Sequence, residues 1–256
     1  MANLLWSWQV RSQDYWTATS VEHEWFPIGV GYKWYDEDEV HYLSLEKYKG
    51  YKPCIKRYKD GSFKFTPPNL KPMMKDAWEL LNTADVVVGW NSKAFDIKKL
   101  NDWFVKLGMP PYMPIAQVDV MQEKKKITSS NSNKLDDTSE AWGTGRKQQH
   151  EGWDLWIKCC EGDAKALADM ESYCKQDVLI TEKNYDYLKP WIKSHPKLNV
   201  LDERPELCPK GCGGKIIAGV KYTATATNKY QYGRCNNCGS PVKFRIPEKL
   251  DKPLYV

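Results

Sequence analysis

The chain of 256 residues is long enough for one sizeable α/β core and a small additional unit, and its 12 Trp and 15 Tyr exclude a disordered protein, because such side chains bury enough surface to offset chain entropy. A net charge of +5 permits a polyanionic partner without requiring one. No stretch approaches about 18 uncharged apolar residues and no basic segment precedes an apolar run, so we expect a cytoplasmic protein (host cytoplasm if viral) without a membrane span or signal peptide.

The first third of the chain predicts strands and one helix. Residues Ile28–Tyr32 and Val40–Leu43 are typical of a hairpin joined by the acidic turn 36–39. A helical stretch follows around Met74–Leu81. The uninterrupted apolar run Val86–Gly89 then predicts a strand buried on both faces of a mostly parallel sheet.

The middle of the chain continues this alternation. From Phe95 onward apolar residues recur at helical spacing until Gly108, and residues 115–120 predict another strand. Residues 124–133, basic and then rich in Ser and Asn, predict a flexible surface loop, whose lysines more often form a solvated face than a phosphate contact. A long helix is predicted over residues 165–188.

Three side chains are candidates for catalysis. Asp96 follows a predicted buried strand at the start of a helix, a position that opens onto the ligand side of an α/β sheet. Tyr173 and Asp177 are four residues apart and project from one helix face. Carboxylates hold the two divalent cations that phosphodiester hydrolysis needs, and a neighbouring phenol can orient the attacking water. The ordinary alternatives are a first-turn acid for Asp96 and a surface pair for the other two.

The chain resembles phage-type 3′-to-5′ exonucleases of the DEDD (DnaQ-like) superfamily in four segments: Asn91–Asp96, Lys134-Leu135-Asp136, Gly152-Trp153-Asp154-Leu155-Trp156 and Tyr173–Asp177. Ser172, rather than His, precedes Tyr173, which resembles the tyrosine subclass of that family. The resemblance covers nearly the whole chain, including Glu22–Leu45 and a C-terminal cysteine module.

This resemblance implies an α/β fold with a ribonuclease-H-like mixed sheet flanked by helices. It implies 3′-to-5′ exonuclease activity on single-stranded 3′ ends of nucleic acid, with DNA as the first candidate and RNA as the second. By the same resemblance, Asp96 and Asp177 would ligate Mg²⁺ or Mn²⁺ and Tyr173 would position water. The implied nucleic-acid contacts near this site are Asn91, Lys93 and Phe95. Replication or recombination proteins are the expected protein partners.

One motif of that family is missing from the chain. Such enzymes begin with a strand ending in Asp-x-Glu, which supplies two metal ligands, whereas the resemblance starts here at Asn3. Asp14, or Glu22 and Glu24 on one face of a strand, offers a weaker substitute. Because two carboxylates alone would hold a metal pair weakly, the alternative prediction is a catalytically inactive nucleic-acid-binding or interaction module that keeps the fold.

Four of the eight cysteines form two tight pairs near the C-terminus, Cys208 with Cys212 and Cys235 with Cys238. Four thiolates at these spacings predict a tetrahedral structural Zn²⁺ site in a zinc ribbon, which a reducing cytosol favours over two disulfides. The remaining cysteines are predicted to be free thiols: Cys54, Cys159, Cys160 and Cys174.

Basic and aromatic side chains are interleaved within the cysteine module. Lys229 and Arg234 are candidates for gripping phosphates, with a solvated ribbon as an equal alternative. We expect an exonuclease domain without its first strand over residues 1–192, a linker over 193–206 and the zinc ribbon over 207–247.

Overall fold

The computed structural model describes residues 2–5, 21–148 and 152–249, with side chains described over 25–148 and 154–245. The strands are β1 (Ala2–Leu5), β2 (Val21–Phe26), β3 (Gly29–Tyr32), β4 (His41–Ser44), β5 (Ile55–Arg57), β6 (Phe63–Phe65), β7 (Val86–Gly89), β8 (Ala116–Asp119), β9 (Ile216–Ala224), β10 (Asn228–Cys235) and β11 (Pro241–Lys249). The helices are α1 (Lys71–Thr83), α2 (Asp96–Lys106), α3 (Val120–Ile127), α4 (Leu135–Trp142), α5 (Trp153–Glu161), α6 (Ala164–Leu188) and α7 (Leu198–Leu201).

The α/β class is confirmed, and the described strands pair into five small sheets rather than one continuous sheet. Strands β3 and β4 form the predicted hairpin, with Gly29 opposite Ser44 and Tyr32 opposite His41. Strands β7 and β8 are parallel, and their carboxyl ends meet where Gly89 faces Asp119. None of the described helices combines the length and apolar character needed to cross a membrane.

Strand β7 is less buried than its sequence predicts. The expectation that Val86–Gly89 is covered on both faces is wrong, since all four residues are only half-buried. Among the described strands β7 hydrogen-bonds to β8 alone. A sheet of two strands offers too little surface for helices to cover a strand completely on both sides.

Helix α6 packs against several strands and helices of the larger part of the chain. Asp163 caps its N-terminus by accepting a hydrogen bond from the Ala166 N–H at 2.7 Å. The helix contacts β3, β4, β7 and the helices α3, α4 and α5. Strand β3 approaches the helix backbone at Gly31, where an added Cβ would lie 3.3 Å from the Cys174 carbonyl oxygen and 3.2 Å from Val178. The predicted long helix is thus confirmed, and it holds both strand pairs in place.

The hydrophobic core lies between these elements in two clusters. The larger one includes Met73 and Met74 of α1, both fully buried, together with Ile97 of α2 and Met170 of α6. A smaller cluster surrounds Val120 at the start of α3 and the end of α6. Burying these apolar side chains fixes the ends of β7 and β8 relative to α2 and α6.

The predicted flexible loop over residues 124–133 is wrong in its first part, where Val120–Ile127 forms α3. Lys124 is buried, at 2% exposure. Its ammonium donates hydrogen bonds to Ser130 Oγ at 2.5 Å, the Ser132 carbonyl oxygen at 2.6 Å and Asn133 Oδ1 at 3.2 Å. A long cationic side chain satisfies several acceptors at once, so Lys124 organises the segment after α3 instead of facing a phosphate.

The C-terminal part is a three-stranded antiparallel sheet in the order β11-β10-β9. Its cysteine loops contact the segment after α6. Ser240 Oγ donates a hydrogen bond to the Pro190 carbonyl oxygen at 3.1 Å, and the Leu198 N–H donates one to the Pro209 carbonyl oxygen at 3.0 Å. The stretch between the two cysteine pairs forms an antiparallel hairpin of β9 and β10.

Candidate functional site

Asp119 fixes the loop that leads into α2. Its carboxylate, at 1% exposure, accepts hydrogen bonds from the backbone N–H groups of Asn91, Lys93 and Gln122, each at 3.1 Å. Asn91 adopts a left-handed conformation with φ 59°, which Asn tolerates better than most residues. The end of β8 thereby shapes the turn after β7 and sets where α2 begins.

Asp96 is the first residue of α2 and is half-buried beside this loop. Burial, opposed by a backbone hydrogen bond and reinforced by repulsion from Asp119, raises the pKa of Asp96 to about 6. A carboxylate that is costly to ionise at neutral pH is a candidate cation ligand, because a bound cation removes that cost. The side chains of Lys93 and Phe95 in the preceding loop are exposed, whereas the N–H of Asn91 is committed to Asp119.

Tyr173 and Asp177 share one cationic partner, Lys147. The Lys147 ammonium lies 2.7 Å from Asp177 Oδ2 and donates a hydrogen bond of 2.7 Å to the Tyr173 hydroxyl. It also stands 4.8 Å from the centre of the Tyr173 ring. Burial would lower the pKa of Lys147, but its hydrogen bonds to Asp177 and Tyr173 outweigh this and raise it. Burial raises the pKa of Tyr173, so its phenol keeps its proton at neutral pH.

Asp136 positions the segment that carries Lys147. Its Oδ1 accepts a hydrogen bond from the Lys147 backbone N–H at 2.7 Å, and its Oδ2 lies 3.2 Å from the Arg146 guanidinium. Sequence reasoning identified the Lys134-Leu135-Asp136 segment but missed Lys147, because no local spacing links it to α6. It also missed Asp119, although an acid ending the predicted strand 115–120 was a usable signal.

The described carboxylates do not gather into one cluster of three. In the part of the chain with described side chains, the only three or more His, Cys, Asp or Glu ligand atoms within 4.8 Å of one another are the sulfurs of the cysteine pairs. Asp14 lies outside the described residues, as do the side chains of Glu22 and Glu24. Asp96 is electrostatically coupled to Asp119, and Asp177 is paired with Lys147.

The four C-terminal cysteines do converge. All four sulfurs lie within 4.8 Å of one another, with Sγ to Sγ distances of 3.8 Å for Cys208 and Cys238 and 3.5 Å for Cys212 and Cys235. These cysteines are free, and a disulfide would require about 2.0 Å. A tetrahedral zinc site with Zn–S bonds of about 2.3 Å separates its sulfurs by about 3.8 Å. The donor set therefore fits a closed, structural metal site.

The backbone around the cysteines supports this arrangement. The Asn237 N–H donates to Cys235 Sγ at 3.4 Å, as backbone amides do beside thiolate metal ligands. Gly214 has no room for a side chain, since an added Cβ would lie 2.4 Å from Cys235 Sγ. Its carbonyl accepts the Cys208 N–H at 2.8 Å. The first pair, with three intervening residues, is thus accommodated by a close backbone approach.

Lys229 and Arg234 occupy different environments on β10. Arg234 is exposed and donates a hydrogen bond to the Gly239 carbonyl oxygen at 2.9 Å. Lys229 places its ammonium 5.0 Å from the centre of the Tyr222 ring. Their side chains are five residues apart and project from opposite faces of the strand, so a single ligand cannot use both in the same way.

Comparison with known proteins assigns the larger part of the chain to a family. No curated protein matches it. Residues 54–189 match the family model described as RNase_H superfamily, just over half of the 256 residues. The matched range runs from β5 to the end of α6 and contains Asp96, Asp119, Lys147, Tyr173 and Asp177. This fold is associated with nuclease-type function, nucleic-acid binding and divalent metals. The chain belongs to the RNase_H superfamily.

Proposed function

We propose that this chain is a metal-dependent 3′-to-5′ exonuclease acting on single-stranded 3′ ends, with DNA as its first substrate. The observation that carries the proposal is the shared cation at Tyr173 and Asp177. Within the superfamily region these two side chains face one small positively charged volume, at 2.7 Å each from the Lys147 ammonium. Tyr173 and Asp177 therefore converge on one cation.

The proposed roles follow from the chemistry of each group. Asp96 and Asp177 offer the carboxylate oxygens that Mg²⁺ and Mn²⁺ prefer. The bound ions would activate water and stabilise the leaving oxygen. Tyr173, protonated at neutral pH, would donate a hydrogen bond that orients the attacking water. Lys147 would offset the negative charge of the phosphate, as its position beside Asp177 allows.

The division of the chain is part of the same proposal. An exonuclease domain spans residues 1–192, a linker 193–206 and a zinc ribbon 207–247, with one Zn²⁺ held by the four thiolates. The hydrogen bonds of Ser240 to Pro190 and of Leu198 to Pro209 support a ribbon that rests on the end of the nuclease domain. Replication or recombination proteins are the proposed partners and the cytoplasm, or the host cytoplasm, the proposed location.

A second candidate is a catalytically inactive nucleic-acid-binding module that keeps the nuclease fold. Two observations favour it. The described side chains include no cluster of three carboxylates, and Lys147 already neutralises Asp177. Such a protein would bind an oligonucleotide with strong salt dependence but would leave it intact.

Shortening of a 5′-labelled single-stranded oligonucleotide in Mn²⁺ separates the two candidates. The exonuclease proposal expects a ladder of products from wild type, and a loss of at least about 100-fold in Asp177→Asn and Asp96→Asn. Asp169→Asn, an exposed acid on the same helix, is the matched control and should cut like wild type. Wild-type binding without shortening establishes the inactive module. If Asp177→Asn cuts as well as wild type, Asp177 is not part of the catalytic site and the proposed site is wrong. A parallel RNA oligonucleotide decides between the two substrates.

A further inference from the structure

Positive charge is concentrated in the cysteine module. Residues 207–247 contain seven Lys and Arg and no Asp or Glu, while the rest of the chain carries 31 Lys and Arg against 33 Asp and Glu. One Zn²⁺ bound by four thiolates has a net charge of −2, so it would offset only two of these seven positive charges. The net positive charge of the protein therefore lies entirely in this module, which is where a polyanion would be attracted.

The strand register places most of these cations on one face of the sheet. Residues opposite each other in an antiparallel pair project from the same face. Tyr230 is opposite Arg245, Tyr232 is opposite Lys243, and Arg234 is opposite Pro241. Alternation along β10 puts these three β10 residues on one side. Lys221 of β9 joins them, because its ammonium lies 5.6 Å from the centre of the Tyr232 ring. We call this set the basic face: Lys221, Tyr230, Tyr232, Arg234, Lys243 and Arg245.

The basic face is open to solvent. All four of its cations are exposed, and its two tyrosines are half-buried. The Lys243 ammonium lies over the Tyr230 ring, 4.1 Å from its centre, and the Lys221 ammonium lies over the Tyr232 ring. A base that stacks on either ring takes the place of an ammonium group, which is then free to meet a phosphate. No acidic side chain occurs in β9, β10 or the described side chains of β11. Exposed cations with no neutralising acids, next to half-buried tyrosine rings, make a surface complementary to a polyanion with unpaired bases.

On the opposite face of the sheet, side chains pack closely around Gly233. Gly233 is buried there, and an added Cβ would lie 2.7 Å from Ile216 and 3.1 Å from Phe244. Those side chains cover the glycine and hold the strands together. The cations of the basic face are exposed, so they can be exchanged without disturbing the packing around Gly233.

We propose that the basic face binds single-stranded nucleic acid at a site separate from Asp96 and Asp177. Phosphates meet the four cations, and successive bases stack on Tyr230 and Tyr232, which are about 7 Å apart along β10. Stacking requires unpaired bases, so single strands bind in preference to duplexes. Lys229 lies on the opposite face, with Tyr222, and takes no part. This inference does not depend on whether the chain cuts its ligand.

The test measures anisotropy of a labelled oligo-dT strand with the full zinc-loaded chain, in buffer free of Mg²⁺ and Mn²⁺. The combined variant Arg234→Gln, Lys243→Gln, Arg245→Gln should weaken binding at least about tenfold and reduce the salt slope by about 2. Tyr230→Ala with Tyr232→Ala should weaken it about tenfold or more with the slope unchanged, whereas Phe at both positions should retain binding.

The matched control, Tyr222→Ala with Lys229→Gln, removes one ring and one cation from the opposite face and should stay within about twofold of wild type. Zinc content and circular dichroism verify that each variant is folded, and the single variant Lys243→Gln replaces the triple one if zinc is lost. The proposal is overturned if the control weakens binding as much as the basic-face variants. It is also overturned if the Tyr-to-Ala change has no effect, or if a duplex binds as tightly as the single strand.

Discussion

The ammonium of Lys147 lies 2.7 Å from the carboxylate of Asp177, across a gap of 30 residues in sequence. Both side chains are only about a quarter exposed, at 26% and 25%. A pair this sheltered leaves a poorly solvated charge behind when one partner is removed. The contact ties the segment before α5 to the middle of α6.

Lys147→Met should therefore destabilise the folded chain by about 1–3 kcal/mol. Asp177→Asn in the same chain should recover about 1 kcal/mol of that loss, because it removes the unpaired charge. Urea unfolding of the two single variants and the double variant measures this coupling. Lys75→Met is the control, since Lys75 and Glu79 form an exposed pair at 70% and 56%, and it should change stability by no more than about 0.5 kcal/mol. Additive effects of the Lys147 and Asp177 changes would show that the pair contributes nothing.

Asp119→Asn should loosen the loop before α2. The substitution keeps the size of the side chain but removes the negative charge of a carboxylate that accepts hydrogen bonds from three backbone N–H groups. We expect the free energy of unfolding to fall by about 1–3 kcal/mol. The substitution should also lower the pKa of Asp96, because repulsion from Asp119 helps to raise it. Urea unfolding measures the first effect and NMR titration of the Asp96 carboxyl the second. An unchanged Asp96 pKa would contradict the coupling.

Removal of the metal should unfold the cysteine module and spare the nuclease domain. We expect one Zn²⁺ per chain, bound with a free energy on the order of 10 kcal/mol. A chelator, or Cys212→Ser, should abolish hydrogen-exchange protection in β9 and β10 while α6 stays protected. Cys159→Ala alters a buried thiol of the other part of the chain and should keep its zinc. Zinc retained by Cys212→Ser, or fewer than eight thiols titrated after denaturation with chelator, would contradict the four-thiolate site.

His195 should make stability depend on mildly acidic pH. Its Nδ1–H donates to the Pro196 carbonyl oxygen at 2.6 Å, so Nε2 accepts the Tyr185 hydroxyl hydrogen bond of 2.6 Å and the ring is neutral. Burial lowers the pKa of His195 from 6.5 to about 4. Between these two pH values His195 is protonated in the unfolded chain but not in the folded chain. The free energy of unfolding therefore falls as pH drops from about 6.5 to about 4, by at most about 3 kcal/mol.

The comparison of wild type with His195→Gln isolates this effect from the titration of carboxylates. The difference in free energy of unfolding between the two proteins, measured with urea, should be constant above pH 7. As pH falls toward 4, wild type should lose stability relative to His195→Gln. Parallel curves over that window would show that His195 is not the titrating group.

Local spacing along the chain determined much of this protein. Several features follow from residues only a few positions apart, where backbone geometry limits what can form. They are the β3–β4 hairpin, the strand at Val86–Gly89, the long helix α6 and the two cysteine pairs. Tyr173 and Asp177 could be assigned to one helix face for the same reason. The RNase_H superfamily membership agrees with the ribonuclease-H-like fold expected from the sequence motifs.

Only the tertiary structure decided which remote side chains meet. The pairing of Lys147 with Asp177, the three amides held by Asp119, the burial of Lys124 and the separation of Arg234 from Lys229 onto opposite faces of β10 each depend on packing or strand register. These contacts join segments that the sequence leaves independent, because the free energy of burying a charge or pairing two strands depends on the neighbours that folding supplies.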